Sequence, residues 1–322
     1  MEKVALDGKD RSTADCFWHN PAPRTIEAAI LCTLAYADLF DYPLTAPEVH
    51  RYLVGMQADV PTVEGLLKNG RTRTHVARNG AYFTLSGRER IVDNRCQRAR
   101  IAAEGWPQAI RYGRAIASLP FVRMVAVTGA LAVDNAKEGD DIDYLIVTTP
   151  GRLWLCRAII IQLVVKPAGG RGITICPNYL LSERALAQFE HNLFTAHEIV
   201  QMVPISGRET YERLCELNRW ASRFLPNAYG QPRSLRLEPA ALPSTYARAE
   251  PILRSPLGAC LERWEMKRKI GKFGQQDQQS EVRLSPDCCK AHFESHSQLV
   301  QNALVRRLAS FGESCFAEVQ DV

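Results

Sequence analysis

Asp141 and Asp143 stand one residue apart inside the run Phe121 to Thr149, FVRMVAVTGALAVDNAKEGDDIDYLIVTT. In an extended strand successive side chains alternate faces, so the two carboxylates point the same way while Ile142 points into a core. Two hard oxygen groups on one face suit a divalent cation such as Mg²⁺, which keeps waters and phosphate oxygens in its shell and does not need a full protein cage. Upstream, the apolar run Val122 to Val127 ends at Thr128-Gly129-Ala130, a small-residue turn where a bulky side chain would block approach to the backbone. A phosphate group fits such a turn. The plain alternative is that Asp140 to Asp143 form a solvated hairpin turn.

Two further groups carry chemistry. His197 and Glu198 lie in NLFTAHEIVQ, Asn192 to Gln201, which reads as a helix. An imidazole is a general base near neutral pH. Adjacent helical residues do not share a face, so only one of this pair is expected to point inward. Cys288, His292 and His296 stand four apart, as zinc ligands on one helical face would, without an evident fourth ligand. A packed cysteine beside exposed histidines accounts for the same spacing.

These residues need elements to hold them. Val122–Val127 and Tyr144–Thr148 read as strands with a helical ALAVDNA stretch between, followed by a buried helix over residues 151–166 and a third strand over 172–181. Ahead of them, Thr25–Leu39 has helical spacing, Thr45 and Glu48 make a capping-box pattern that starts a helix at Ala46, and a third helix is expected from Thr62 to Asn69. Asn79-Gly80 between two strand-like runs then marks a hairpin. Three short helices and a hairpin give a winged helix-turn-helix over residues 24–87, preceded by a disordered leader over 1–23. Residues 88–119 read as a linker helix, broken at Gly105 to Pro107, whose Arg95, Arg98, Arg111 and Arg114 could reach a triphosphate. The core is expected over 120–205. Residues 206–322 read as a helical C-terminal domain with a linker near 228–251, a polar GQQDQQS loop, and helices over 257–272 and 286–311.

The chain has 322 residues, enough for two or three domains, and 46% hydrophobic content to fill their cores. No apolar run is long enough to cross a bilayer, and the polar N-terminus lacks the apolar segment of a signal peptide, so the expected setting is cytoplasmic with no membrane partner. Ten cysteines without a Cys-x-x-Cys pair then read as reduced thiols. A net charge of +5 permits a polyanionic partner without requiring one. Lys68, Arg71, Arg73 and Arg78 could serve phosphate contacts if the winged helix binds nucleic acid; a protein-adaptor role for the same module stays open.

Gly129, Asp141 and Asp143 resemble the signature of the nucleotidyltransferase superfamily that includes DNA polymerase β: a glycine pair opening a short helix, then an acid-apolar-acid triplet on the next strand. The resemblance implies an α/β (α+β) fold with a polymerase-β-like nucleotidyltransferase core, the winged helix in front and the helical domain behind. It implies that Asp141 and Asp143 hold Mg²⁺, that Thr128, Gly129 and Ala130 cradle the phosphates of an NTP, and that an NMP moves to a hydroxyl acceptor with release of pyrophosphate. Ala130 stands where the superfamily has Gly or Ser. The third carboxylate, which in the superfamily deprotonates the acceptor, has no counterpart in residues 172–181. Asn178 offers only a carbonyl oxygen, Glu183 lies past the run, and His197 or Glu198 is the expected substitute. The rival expectations are a catalytically degenerate nucleotide-binding regulator with a DNA- or protein-binding winged helix, and an interaction scaffold.

Overall fold

Thr25 caps the first helix, α1 (Ile26–Asp38), its hydroxyl accepting the Ala28 N–H at 3.2 Å. The structure, a computed structural model, describes residues 23–69, 74–233, 250–273, 283–290 and 296–311. Strand β1 (Leu44–Thr45) leads into α2 (Ala46–Arg51), where the expected capping box is formed: Glu48 accepts the Thr45 N–H at 2.8 Å and Thr45 accepts the Glu48 N–H. Helix α3 (Val60–Asn69) and the hairpin β2 (Val76–Asn79) and β3 (Tyr82–Leu85) complete this N-terminal module, with a sheet order β1-β3-β2. Gly80 takes the left-handed conformation that the tight turn demands, φ 61°. Every residue of α1 from Ala28 to Asp38 is buried. Such a helix is a core element, not a surface one.

Helix α4 (Ile91–Ala117) runs unbroken through Pro107, so the expected break at Gly105 to Pro107 does not occur. Its apolar face, including Trp106, Ala109, Tyr112 and Ile116, is buried on the sheet, and that burial outweighs the hydrogen bond the proline cannot make. Gly113 lets α4 approach closely, since a Cβ there would lie 2.6 Å from Ile205 Cδ1.

The fold is mixed α/β. Beyond α4 come β4 (Val122–Val127), the four-residue α5 (Gly129–Ala132) and β5 (Ile142–Thr148). Next are α6 (Leu153–Ile160), a π-helical segment Ile161–Val165, α7 (Lys166–Gly169) and β6 (Ile175–Ser182). Helix α8 (Leu193–Gln201), capped by Asn192, precedes β7 (Val203–Ser206), α9 (Arg208–Leu217) and α10 (Ala221–Phe224). The C-terminal part gives α11 (Pro256–Phe273), β8 (Arg283–Ser285), β9 (Cys288–Lys290) and α12 (His296–Leu308). One six-stranded sheet runs β7-β4-β5-β6-β9-β8, antiparallel except for the parallel pair β5–β6.

The C-terminal segment departs from the expected helix over 286–311. Residues 288–290 are a strand that pairs with β6, Leu180 opposite Cys289, and the described helix after it covers His296–Leu308. The open edge of β6 decides this, because pairing satisfies its backbone groups and buries Cys289 to 1% exposure. Cys288 and His296 therefore do not share a helical face, and His292 lies outside the described residues. So do the expected leader through residue 22, Arg71, Arg73, GQQDQQS and most of the linker near 228–251. None of the eight cysteines within the described residues is in a disulfide. No helix among the described residues is long and apolar enough to cross a membrane.

Candidate functional site

Strands β4 and β5 are antiparallel neighbours with Val127 opposite Tyr144, and the Thr128 N–H donates to the Asp143 carbonyl at 3.0 Å. This register sets the turn after β4 against the start of β5. Gly129 takes φ 67°, and a Cβ built on it would lie 2.5 Å from Asp143 Oδ2. No side chain fits between the turn and that carboxylate. The glycine backbone and one acid of the triplet thus face each other, as the sequence spacing predicted. Asp141 is placed differently. Strand β5 begins at Ile142, so Asp141 precedes it and is exposed, whereas Asp143 is half-buried.

Burial is the largest cause that pushes the Asp143 carboxyl up to about 7 from its usual 3.8, followed by the charges of Asp141, Asp140 and Glu198. A divalent cation at this spot would relieve that repulsion, and the donors present are hard oxygens. Among the described residues no three His, Cys, Asp or Glu groups converge as a closed metal cage.

On β6 the position opposite Asp143 is Cys176, whose thiol is pushed up to about 11 by burial and by Asp143 and Asp141. A protonated thiol at neutral pH is no carboxylate substitute. Glu183 follows Ser182 at the other end of the β5–β6 pair, 3.8 Å from Arg123. The nearer acid is Glu198 on α8.

Asp143, Glu198, Gly129 and His197 line one cavity of about 320 Å³. Thr128 and Ala130 share its floor, with Tyr179 from β6. Its roof is the N-terminal module: Thr33, Tyr36 and Ala37 of α1, then Phe40, Tyr42 and Tyr52. Phe194 and Gln201 of α8 and Val300 of α12 close the sides. Both His197 and Glu198 reach this cavity, so the expectation that only one would point inward is corrected. The cavity wraps round α8 between α1 and β5, wide enough to meet adjacent positions.

His197 is 4% exposed and its ring stacks on Tyr36, centroids 3.9 Å apart. Nδ1 sits 2.9 Å from the Leu193 carbonyl and so carries the proton, leaving Nε2 as an acceptor with no hydrogen-bond partner among the described residues. Burial pushes its pKa down to about 4, against a smaller opposing effect of the Leu193 bond. At neutral pH it is an uncharged acceptor and a weak base.

The arginines of α4 do not serve the cavity. Arg95 pairs with Glu48 at 2.9 Å and donates to the Val133 and Asp134 carbonyls, while Arg98 bonds the Phe40 carbonyl and Asn135. Both brace the N-terminal module against the loop after α5. Arg111 and Arg114 are exposed and line no part of the cavity. On the winged-helix side, Lys68 is engaged by Glu64 at 3.3 Å and Arg78 folds back on the Gly80 carbonyl.

The aromatic wall was the feature that sequence reasoning missed. Tyr36 and Phe40, four residues apart with ring centroids 5.4 Å apart, carry the only sequence signal for it, and helical spacing made them look like ordinary core. Comparison of the chain with protein-family models, with curated proteins and with solved structures gives no match.

Proposed function

We propose that the protein transfers a nucleotidyl group, moving an NMP from an NTP to a hydroxyl acceptor and releasing pyrophosphate. The observation that carries this reading is the close approach of the left-handed Gly129 turn to the Asp143 carboxylate, both of which line the cavity. A strand, a glycine turn, a short helix and an acid-bearing strand in that order are the parts the polymerase-β-like core would require.

In this reading the backbone N–H groups at Thr128 to Ala130 hold the outer phosphates, where no Cβ at Gly129 keeps them away. Asp141 and Asp143 would hold Mg²⁺, which supplies charge neutralisation to the polyphosphate. Glu198, the other carboxylate that lines the cavity with Asp143, accepts the proton of the acceptor hydroxyl. The aromatic roof excludes water from the reacting oxygen, which limits hydrolysis of the NTP.

Calorimetry with Mg²⁺ and each NTP, followed by pyrophosphate release in the presence of small-molecule extract, tests the reading. Asp143→Asn should lower release by about a hundredfold or more while leaving the circular dichroism spectrum unchanged. Full transfer by that variant would overturn the assignment. A second reading, a nucleotide-binding regulator without turnover, is favoured by Cys176 standing on β6 opposite Asp143, where an acid would be expected. Nucleotide binding without pyrophosphate release under every acceptor condition selects it.

A further inference from the structure

Three polar groups of the cavity are acceptors. His197 Nε2 can only accept, and the Glu198 and Asp143 carboxylates accept when ionised. Three of its hydroxyls are directed elsewhere, Tyr42 donating to the Val133 carbonyl at 2.7 Å, Tyr179 to Gln188 at 2.6 Å and Thr33 to the Ala29 carbonyl at 2.7 Å, while Tyr36, Tyr52 and Thr128 bring hydroxyls to the lining as well. Among the described residues no lysine or arginine lines the space. The remaining walls are aromatic faces and aliphatic groups, chiefly Tyr36, Phe40, Tyr52 and Phe194.

Away from the Thr128–Ala130 turn and any cation held at Asp143, a lining of two carboxylates and aromatic walls disfavours an unpaired anion. Burying a phosphate or carboxylate of the acceptor beside two carboxylates, without a cation to pair it, costs several kcal/mol on the order of a buried unpaired charge. It equally disfavours a polynucleotide acceptor strand, which needs cationic contacts along its backbone. A flat ring gains area and stacking from the aromatic walls, and an ammonium gains from their π faces and from the acceptors.

We propose that this cavity is the acceptor subsite and that it takes a small arylalkyl amine: a flat aromatic body bearing the reacting hydroxyl and, on an alkyl arm, an ammonium that donates to His197 Nε2 in the field of Glu198. That identification rests on the nucleotidyl-transfer reading, because it is what makes the cavity an acceptor subsite. Selectivity for a cation with an aromatic body is a property of the cavity and is measured without nucleotide.

The probes are tyramine, its uncharged analogue para-ethylphenol and its anionic analogue phloretate, titrated into the intact protein by calorimetry and by saturation-transfer NMR. Tyramine should bind about tenfold more tightly than para-ethylphenol, and phloretate should not bind. His197→Phe keeps the ring that stacks on Tyr36 and removes Nε2. It should bring tyramine to near parity with para-ethylphenol while leaving para-ethylphenol affinity unchanged, a ratio that mere loosening of the fold would not move. Glu198→Gln should lower tyramine affinity alone. Equal binding of the three probes, no binding of any, or displacement of tyramine by adenosine would overturn the proposal, the last by making the cavity a nucleobase subsite. If tyramine binds selectively but Mg²⁺ and NTP give no heat and no pyrophosphate, the transfer reading has failed and cation recognition stands alone. Turnover without preference for tyramine fails the subsite only.

Discussion

Burial holds the His197 imidazole neutral, with its pKa pushed down to about 4 from an ordinary 6.5. The unfolded chain therefore takes up this proton first as the pH falls. The contribution to stability is complete above about 6.5, drains away between there and about 4, and is gone below that, amounting to about 3 kcal/mol. Denaturant melts at a series of pH values should show this slope in the wild type and a flatter profile in His197→Phe. Absence of any difference between the two profiles would mean that the ring is not held neutral by burial. For single residues, the sequence carried the glycine turn and Asp143 well, because spacing within one β-strand pair is local geometry. It read the strand from Tyr144, whereas β5 starts at Ile142 directly after Asp141, and it could not foresee that Glu198 and His197 both line the cavity, which depends on how α1 packs over α8.

The N-cap residue of helix α6, Arg152, makes no side-chain capping hydrogen bond. Glu262, carried by α11 and 7% exposed, accepts the N–H groups of Trp154 at 3.0 Å and Leu155 at 2.6 Å and fills that role from a distant part of the chain. Glu262→Ala should lower stability by about 2 kcal/mol, read from the denaturant midpoint, because it leaves two buried donors unsatisfied. Glu262→Gln, which keeps an acceptor oxygen, should recover part of that loss. Capping within a few residues is visible in a sequence, and the Thr45–Glu48 box was; capping across 107 residues, Leu155 to Glu262, is not. The same limit explains Cys288 to Lys290. Their helical spacing was genuine, but an unpaired edge on β6 gave those residues more as a strand. Pro107 is the converse case, a strong local break signal overridden by the buried face of α4.

Arg95, buried on α4, ties three regions together: it pairs with Glu48 of the N-terminal module, donates to the Val133 and Asp134 carbonyls after α5, and lies over the Tyr42 ring at 4.2 Å. Arg95→Met keeps much of the aliphatic bulk and removes the cation, leaving Glu48 and two carbonyls without it. Thermal unfolding of the wild type should be a single transition, and the variant should lose about 3 kcal/mol, the amount typical of breaking a buried pair. Two separated transitions in the wild type would show that the module and the sheet fold independently of this joint. The cavity is framed by the same two bodies, its roof from α1 and its floor from β4 and β5. Neither wall exists without the other, so any occupant works as a rivet through the joint. Its free energy of binding adds to the cohesion of both bodies at once, and a molecule found to raise the melting temperature would report on the pocket even before its chemistry is known.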